Sequence, residues 1–91
     1  MIIAKVVGNL WATKKDDRLN GMKFFVVRPV KGSKLETFVA VDAAGAGIGD
    51  DVIVSQGSSA RTVFADRNVP VDAVIVGIID SVEVDEGLLE Y

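Results

Sequence analysis

Residues 39–61 read VAVDAAGAGIGDDVIVSQGSSAR and hold four of the chain's nine glycines. Two apolar runs flank a loop of the form Gly-x-Gly-x-Gly, at Gly45, Gly47 and Gly49. A strand ends at Asp42 and another runs from Asp51 to Gln56, so the loop joins strand to strand. A loop of this composition either cradles a ligand or lets backbone pack against backbone. A dinucleotide fingerprint needs G-x-G-x-x-G opening a helix, and a P-loop ends in Gly-Lys-Ser/Thr. Neither is present, so the glycines are read as positions of positive φ or close backbone approach.

Working outward, Gly57-Ser58-Ser59-Ala60-Arg61 reads as a helix start, with Ser58 or Ser59 as N-cap. The helix runs about two turns, Ser59 to Ala65, before Asn68, Val69 and Pro70 stop it. Val71 to Val84 forms the last strand. Its core, DAVIVGIID, is predicted to be buried on both faces, with Gly77 as a bulge position. Toward the N-terminus, Leu35–Asp42 alternates between two faces, and Lys31–Lys34 is a turn. Met22–Val30 is a strand ending near Arg28-Pro29, and Lys14–Gly21 is a polar turn closing on Asn20-Gly21. Ile2–Thr13 is a first strand, bent or bulged near Gly8-Asn9. Five strands and one short helix in 91 residues predict an all-β single domain, 1–91, folded as a small closed five-stranded OB-like barrel. Strands so close in sequence are expected to pair without parallel crossovers.

Composition limits the chemistry. The chain has no Cys and no His, which excludes thiolate and imidazole sites and leaves Ser58 and Ser59 without a histidine base. No cofactor or metal is implied. The pairs Asp16-Asp17 and Asp50-Asp51 and the Glu83-Asp85-Glu86 cluster lack the spacing of a calcium loop. They read as solvated charge. The N-terminus has no signal-peptide pattern and no run is long enough to span a bilayer, so a soluble cytoplasmic protein is expected.

Half the chain, 49%, is hydrophobic and the mean hydropathy is +0.36. A chain of this length hides only about 60–65% of its unfolded surface, so a partner chain is expected to cover the remainder. Charge is unevenly spread. Residues 1–34 carry eight Lys/Arg against two Asp, and residues 35–91 carry two Arg against eleven Asp/Glu. The halves either interleave on one surface or form complementary faces between subunits. An OB-like barrel also admits an oligonucleotide-binding reading, which needs a basic groove with exposed aromatics. Phe24, Phe25 and Phe38 read as core, leaving Trp11 and Tyr91 as surface platforms.

Four segments, VGNLWATKK (7–15), LNGMKFFVV (19–27), the 39–61 stretch and PVDAVIVGIID (70–80), together resemble the pentameric vertex proteins of bacterial microcompartment shells, the EutN/CcmL type. The 31–36 turn and the tail match nothing distinctive. The resemblance implies an OB-like barrel that assembles as a homopentamer at the corners of a polyhedral shell, beside hexameric shell proteins of another fold. It implies no enzymatic activity, no nucleic-acid or membrane partner, and a place in the shell of a cytoplasmic, carboxysome-related compartment. On this pattern Gly45, Ala46, Gly47 and Gly49 pack subunit against subunit near the five-fold axis. Arg61 and Asp42 are expected to contribute ion pairs to the ring or the barrel.

Overall fold

A computed structural model describes residues 1–13, 15–30, 36–64 and 69–89. Five strands form one closed barrel in the order β1-β2-β3-β5-β4: β1 (Ile2–Leu10), β2 (Phe24–Pro29), β3 (Phe38–Asp42), β4 (Asp51–Gln56) and β5 (Ala73–Ile78). The expected barrel is observed, with shorter strands. Thr13, Met22 and Val82 lie outside the strands, and Lys31–Leu35 lie outside the described residues.

Strand β1 closes the barrel because it serves two partners. Its first half, Ile2–Lys5, pairs antiparallel with β4, and Ala4–Leu10 pairs antiparallel with β2. The register slips between Val6 and Gly8, so Val7 is the extra residue of a bulge. That bulge bends the strand from one neighbour to the next. A second slip leaves Val76 unpaired between Ile75 and Gly77. Both bulges sit beside the glycines that the sequence marks.

One expectation is overturned. Strand β3 pairs with β5 in parallel, Val41 with Val74 and Asp42 with Ile75. The whole of β4 and the helical turn lie between these strands in sequence. A crossover of that length meets the requirement of a dozen or more residues that shorter loops cannot. The expectation compared only consecutive strands.

The barrel interior is small and branched. Ala4, Val6, Phe25, Val27, Ala40, Val52, Val54, Ala73 and Ile75 form it, with Phe38 at its margin. A second cluster, Val41, Ala60, Val69, Val71 and Val74, packs outside the strands with Leu19, Met22, Phe24 and Phe64. This explains why β5 is buried on both faces only over Ala73–Ile75. Beyond the reach of the second cluster, Val76 and Ile78 are exposed, contrary to the sequence reading.

The helix is shorter than predicted: α1 is Ser58–Arg61, continued by a 3-10 turn at Thr62–Phe64. Ala65 and Asn68 lie outside the described residues. Neither serine is the N-cap. Gly57 occupies that position at φ 72°, ψ −151°, without a side-chain cap. The chain turns one residue early through a conformation essentially restricted to glycine. After Ile78 the chain leaves the barrel, and residues 80–89 are exposed.

Candidate functional site

The loop between β3 and β4 spans residues 43–50 and crosses the end of the intervening strand β5. Two carboxylates shape it. Asp42 accepts hydrogen bonds from the amides of Ala44 (3.0 Å) and Ala46 (3.1 Å). Asp50 accepts from the Gly47 amide at 2.8 Å, while its own amide donates to the Gly47 carbonyl. Two further bonds tie the end of the loop to β1. Gly49 N–H donates to the Val6 carbonyl at 2.8 Å, and Val6 N–H donates to the Asp50 carbonyl at 3.0 Å. They end at the residue before the bulged Val7, so the bend in β1 and the seat of the loop are one construction.

The loop's small residues divide by side. Ala44 and Ala46 are half-buried against the barrel core. Gly45 and Gly49 are exposed and adopt φ of 80° and 95°. Gly47 has no such backbone requirement, and a Cβ there would meet only an Asp50 carboxylate oxygen at 3.9 Å, which is ordinary contact. Among the described residues nothing lies within 4 Å of a Cβ placed on Gly45. Close packing within the subunit therefore does not account for glycine at 47. The remaining side chain on this ridge is Ile48, 61% exposed, an apolar knob on bare backbone. Sequence reasoning did not single out Ile48. Its signal was a large apolar residue inside a loop of glycines.

The other expected site residues separate from this ridge or change role. Asp42 forms no ion pair among the described residues, because its oxygens face the loop amides. Arg61 forms none either, and its Nε donates to the Val71 carbonyl at 3.3 Å. Ser59 donates to the Gln56 carbonyl (2.9 Å) and lies 3.2 Å from the hydroxyl of Ser55. It thus satisfies a buried polar side chain rather than a helix end. Ser58 is exposed.

The ion pairs that do form are on the surface. Lys5 and Asp51, partners across β1 and β4, are 3.6 Å apart. Arg18 and Asp16 lie 2.8 Å apart, with Arg18 side-chain and backbone donors on the carboxylate. Those bonds hold the Asp16 carboxyl well below the ordinary carboxylate range and raise the Arg18 guanidinium. Among the described residues no group of three or more acidic side chains could hold a metal ion, and no helix is long and apolar enough to cross a membrane. Trp11 is 89% exposed, and Tyr91 lies outside the described residues.

The sequence profile of the family described as "Ethanolamine utilisation protein EutN/carboxysome" matches residues 1–80. The chain belongs to the EutN/CcmL family. Among similar members is the carboxysome shell vertex protein CcmL of Synechocystis, 42% identical over 98% of this chain and 92% of that protein. The structure of CcmL from Nostoc superposes with a TM-score of 0.84 at 41% identity, over 92% of this chain and 94% of that one. The GrpN pentameric microcompartment shell protein of Rhodospirillum rubrum superposes with a TM-score of 0.81 at 42% identity, over 93% of this chain and all of that one. The EutN/CcmL likeness thus covers the barrel and both of its bulged strands.

Proposed function

We propose that this chain is a shell vertex subunit. Five copies close into a ring that fills a corner of a polyhedral microcompartment shell, flanked by hexameric shell proteins. It acts by shape, with no catalytic step. The observation that carries the reading is the outward ridge of residues 45–49. A stiff loop, pinned at both ends by carboxylates and β1, presents backbone at Gly47 where its own chain leaves side-chain room. Bare backbone suits a place where copies of one loop converge, because side chains there would collide. Gly45, Gly47 and Gly49 are thus assigned to subunit packing near the five-fold axis, with Ala46 seating the ridge on its own barrel.

Surface area supports a covered state. The chain exposes 6504 Å², roughly a quarter more than the about 5,100 Å² of a compact monomer of this mass. Exposed apolar side chains lie on several strands, including Ile3, Val7, Val39 and Ile78. Head-to-tail contacts between unlike faces close into rings when the rotation fits. Arg61 is exposed on α1 and offers further donors to a neighbour's carboxylate.

Native mass spectrometry of the purified chain tests the ring. The expected mass is five times the 9.7 kDa of one chain. A single-chain mass at micromolar concentration overturns the reading.

A further inference from the structure

The end of the chain is an acidic, apolar strap with no place on its own barrel. The Ile79 amide donates to the Asp51 carbonyl at 2.8 Å. Beyond it, the backbone bonds of the described residues are local, from Leu88 to Asp85 and from Leu89 to Glu86. Val82 and Val84 are more than half exposed, and Leu88 and Leu89 are each 67% exposed. Asp80, Glu83, Asp85 and Glu86 stand among them, and residues 80–89 hold no cation. Four large apolar side chains in water on one short segment mark a surface that a partner covers.

A recess of opposite character lies at the far end of β1. Leu10, Trp11, Met22 and Phe24 line a groove of about 400 Å³, together with Lys15 and Lys23 and, among the described residues, with no carboxylate. The Lys15 ammonium is held there by the Ala12 carbonyl at 3.0 Å, which uses one of its three protons. The strap does not rise beside this groove. Its root shares a recess with Met1, Ile3 and Ile53, separated from Leu10 by the bent length of β1, at most about 27 Å at the usual strand rise.

We propose that residues 80–89 of each subunit lie in the Trp11–Lys23 groove of the next subunit. Apolar side chains fill the recess and the strap's carboxylates meet Lys15 and Lys23. The proposal rests on the ring reading, since a head-to-tail ring gives every strap a groove and leaves neither exposed.

Carbodiimide coupling, which joins a carboxylate to an amine only on contact, tests it directly. Unlabelled and nitrogen-15-labelled chains are refolded together, coupled, digested and weighed. The expected products join Asp85 or Glu86 to Lys15 or Lys23, with about half of them carrying one labelled and one unlabelled peptide. Products of uniform label only would place the strap in its own groove. Strap carboxylates joined only to other lysines, or not joined, would equally overturn the proposal. The native mass of the same sample separates the two readings. A five-chain mass without strap products overturns the strap alone, whereas a single-chain mass overturns the ring and the strap together. A Lys15→Glu/Lys23→Glu variant, checked for its fold by circular dichroism, is expected to lose these products and to dissociate at tenfold or more higher concentration. Adding Asp85→Lys and Glu86→Lys is expected to recover most of that loss.

Discussion

Single side chains of this protein act mostly on neighbouring backbone. Asp42→Ala leaves the part-buried amides of Ala44 and Ala46 without their acceptor. The expected cost is about 1–3 kcal/mol, read as a lower melting temperature with faster hydrogen exchange at those two amides. Asp42→Asn keeps one acceptor oxygen and is expected to lose less. Ser59→Ala strands the buried hydroxyl of Ser55 at a similar cost, about 1–3 kcal/mol, whereas Ser55→Ala/Ser59→Ala removes both partners and is expected to be close to neutral. Asp16 predicts a pH effect. Its folded carboxyl is depressed by Arg18, so the stability it adds is present above the unfolded value near 4. That stability is lost as pH falls toward the folded value. Carbon-13 titration should show Asp16 ionised below the ordinary carboxylate range, and Arg18→Gln should raise it only part of the way, because the residue-18 amide still donates to it. At this scale the sequence was only partly legible. Serine before a short helix suggests a cap, but backbone torsion at Gly57 decides the cap. Aspartate near arginine suggests an ion pair, but Asp42 is consumed by the amides that follow it.

The elements were easier to read. Branched apolar runs fix the existence of all five strands, and Gly8 and Gly77 mark both bulges because a bulge tolerates what a regular ladder does not. Which strands touch was less legible, since the parallel pairing of β3 with β5 depends on a long crossover rather than on local pattern. The β5 side of that closure, Val74 and Ile75, is fully buried. Ile75→Ala, at a fully buried position in β5, is expected to cost about 2–5 kcal/mol, measurable by urea unfolding. The glycine loop predicts a different outcome. In Gly47→Leu the added Cβ meets only ordinary contact inside the chain, so the separate subunit is expected to fold and melt nearly as before while the five-chain species is lost. An intact five-chain mass from that variant would remove the loop from the axis. Ile48→Ser, on the same ridge, is expected to weaken the ring by about tenfold without lowering the subunit's own melting temperature.

The whole molecule is built as an incomplete object. Its excess surface, exposed apolar strand faces and acidic strap all belong to a part that ends in another copy. Hydrophobic content in the sequence predicted a partner, because a 91-residue core cannot absorb it. The division of charge left an interleaved surface and complementary faces both open, and gave no place for the second. That required the geometry that puts the acidic end and the lysine-lined groove at opposite ends of β1. Dilution therefore becomes a stability experiment. The melting temperature is expected to fall as concentration is lowered through the dissociation range, because assembly stabilises only the folded subunit.

The parallel closure also sets an order in time. The strand that seals the barrel, β5, is the last of the five in sequence. During synthesis, β1 to β4 emerge first and can form only an open sheet with two bare edges. The ring of hydrogen bonds cannot complete until β5 has followed them. A barrel dominated by such distant pairings folds slowly, in milliseconds to seconds. A subunit therefore has no finished wall to offer a neighbour until its fifth strand is seated between β3 and β4.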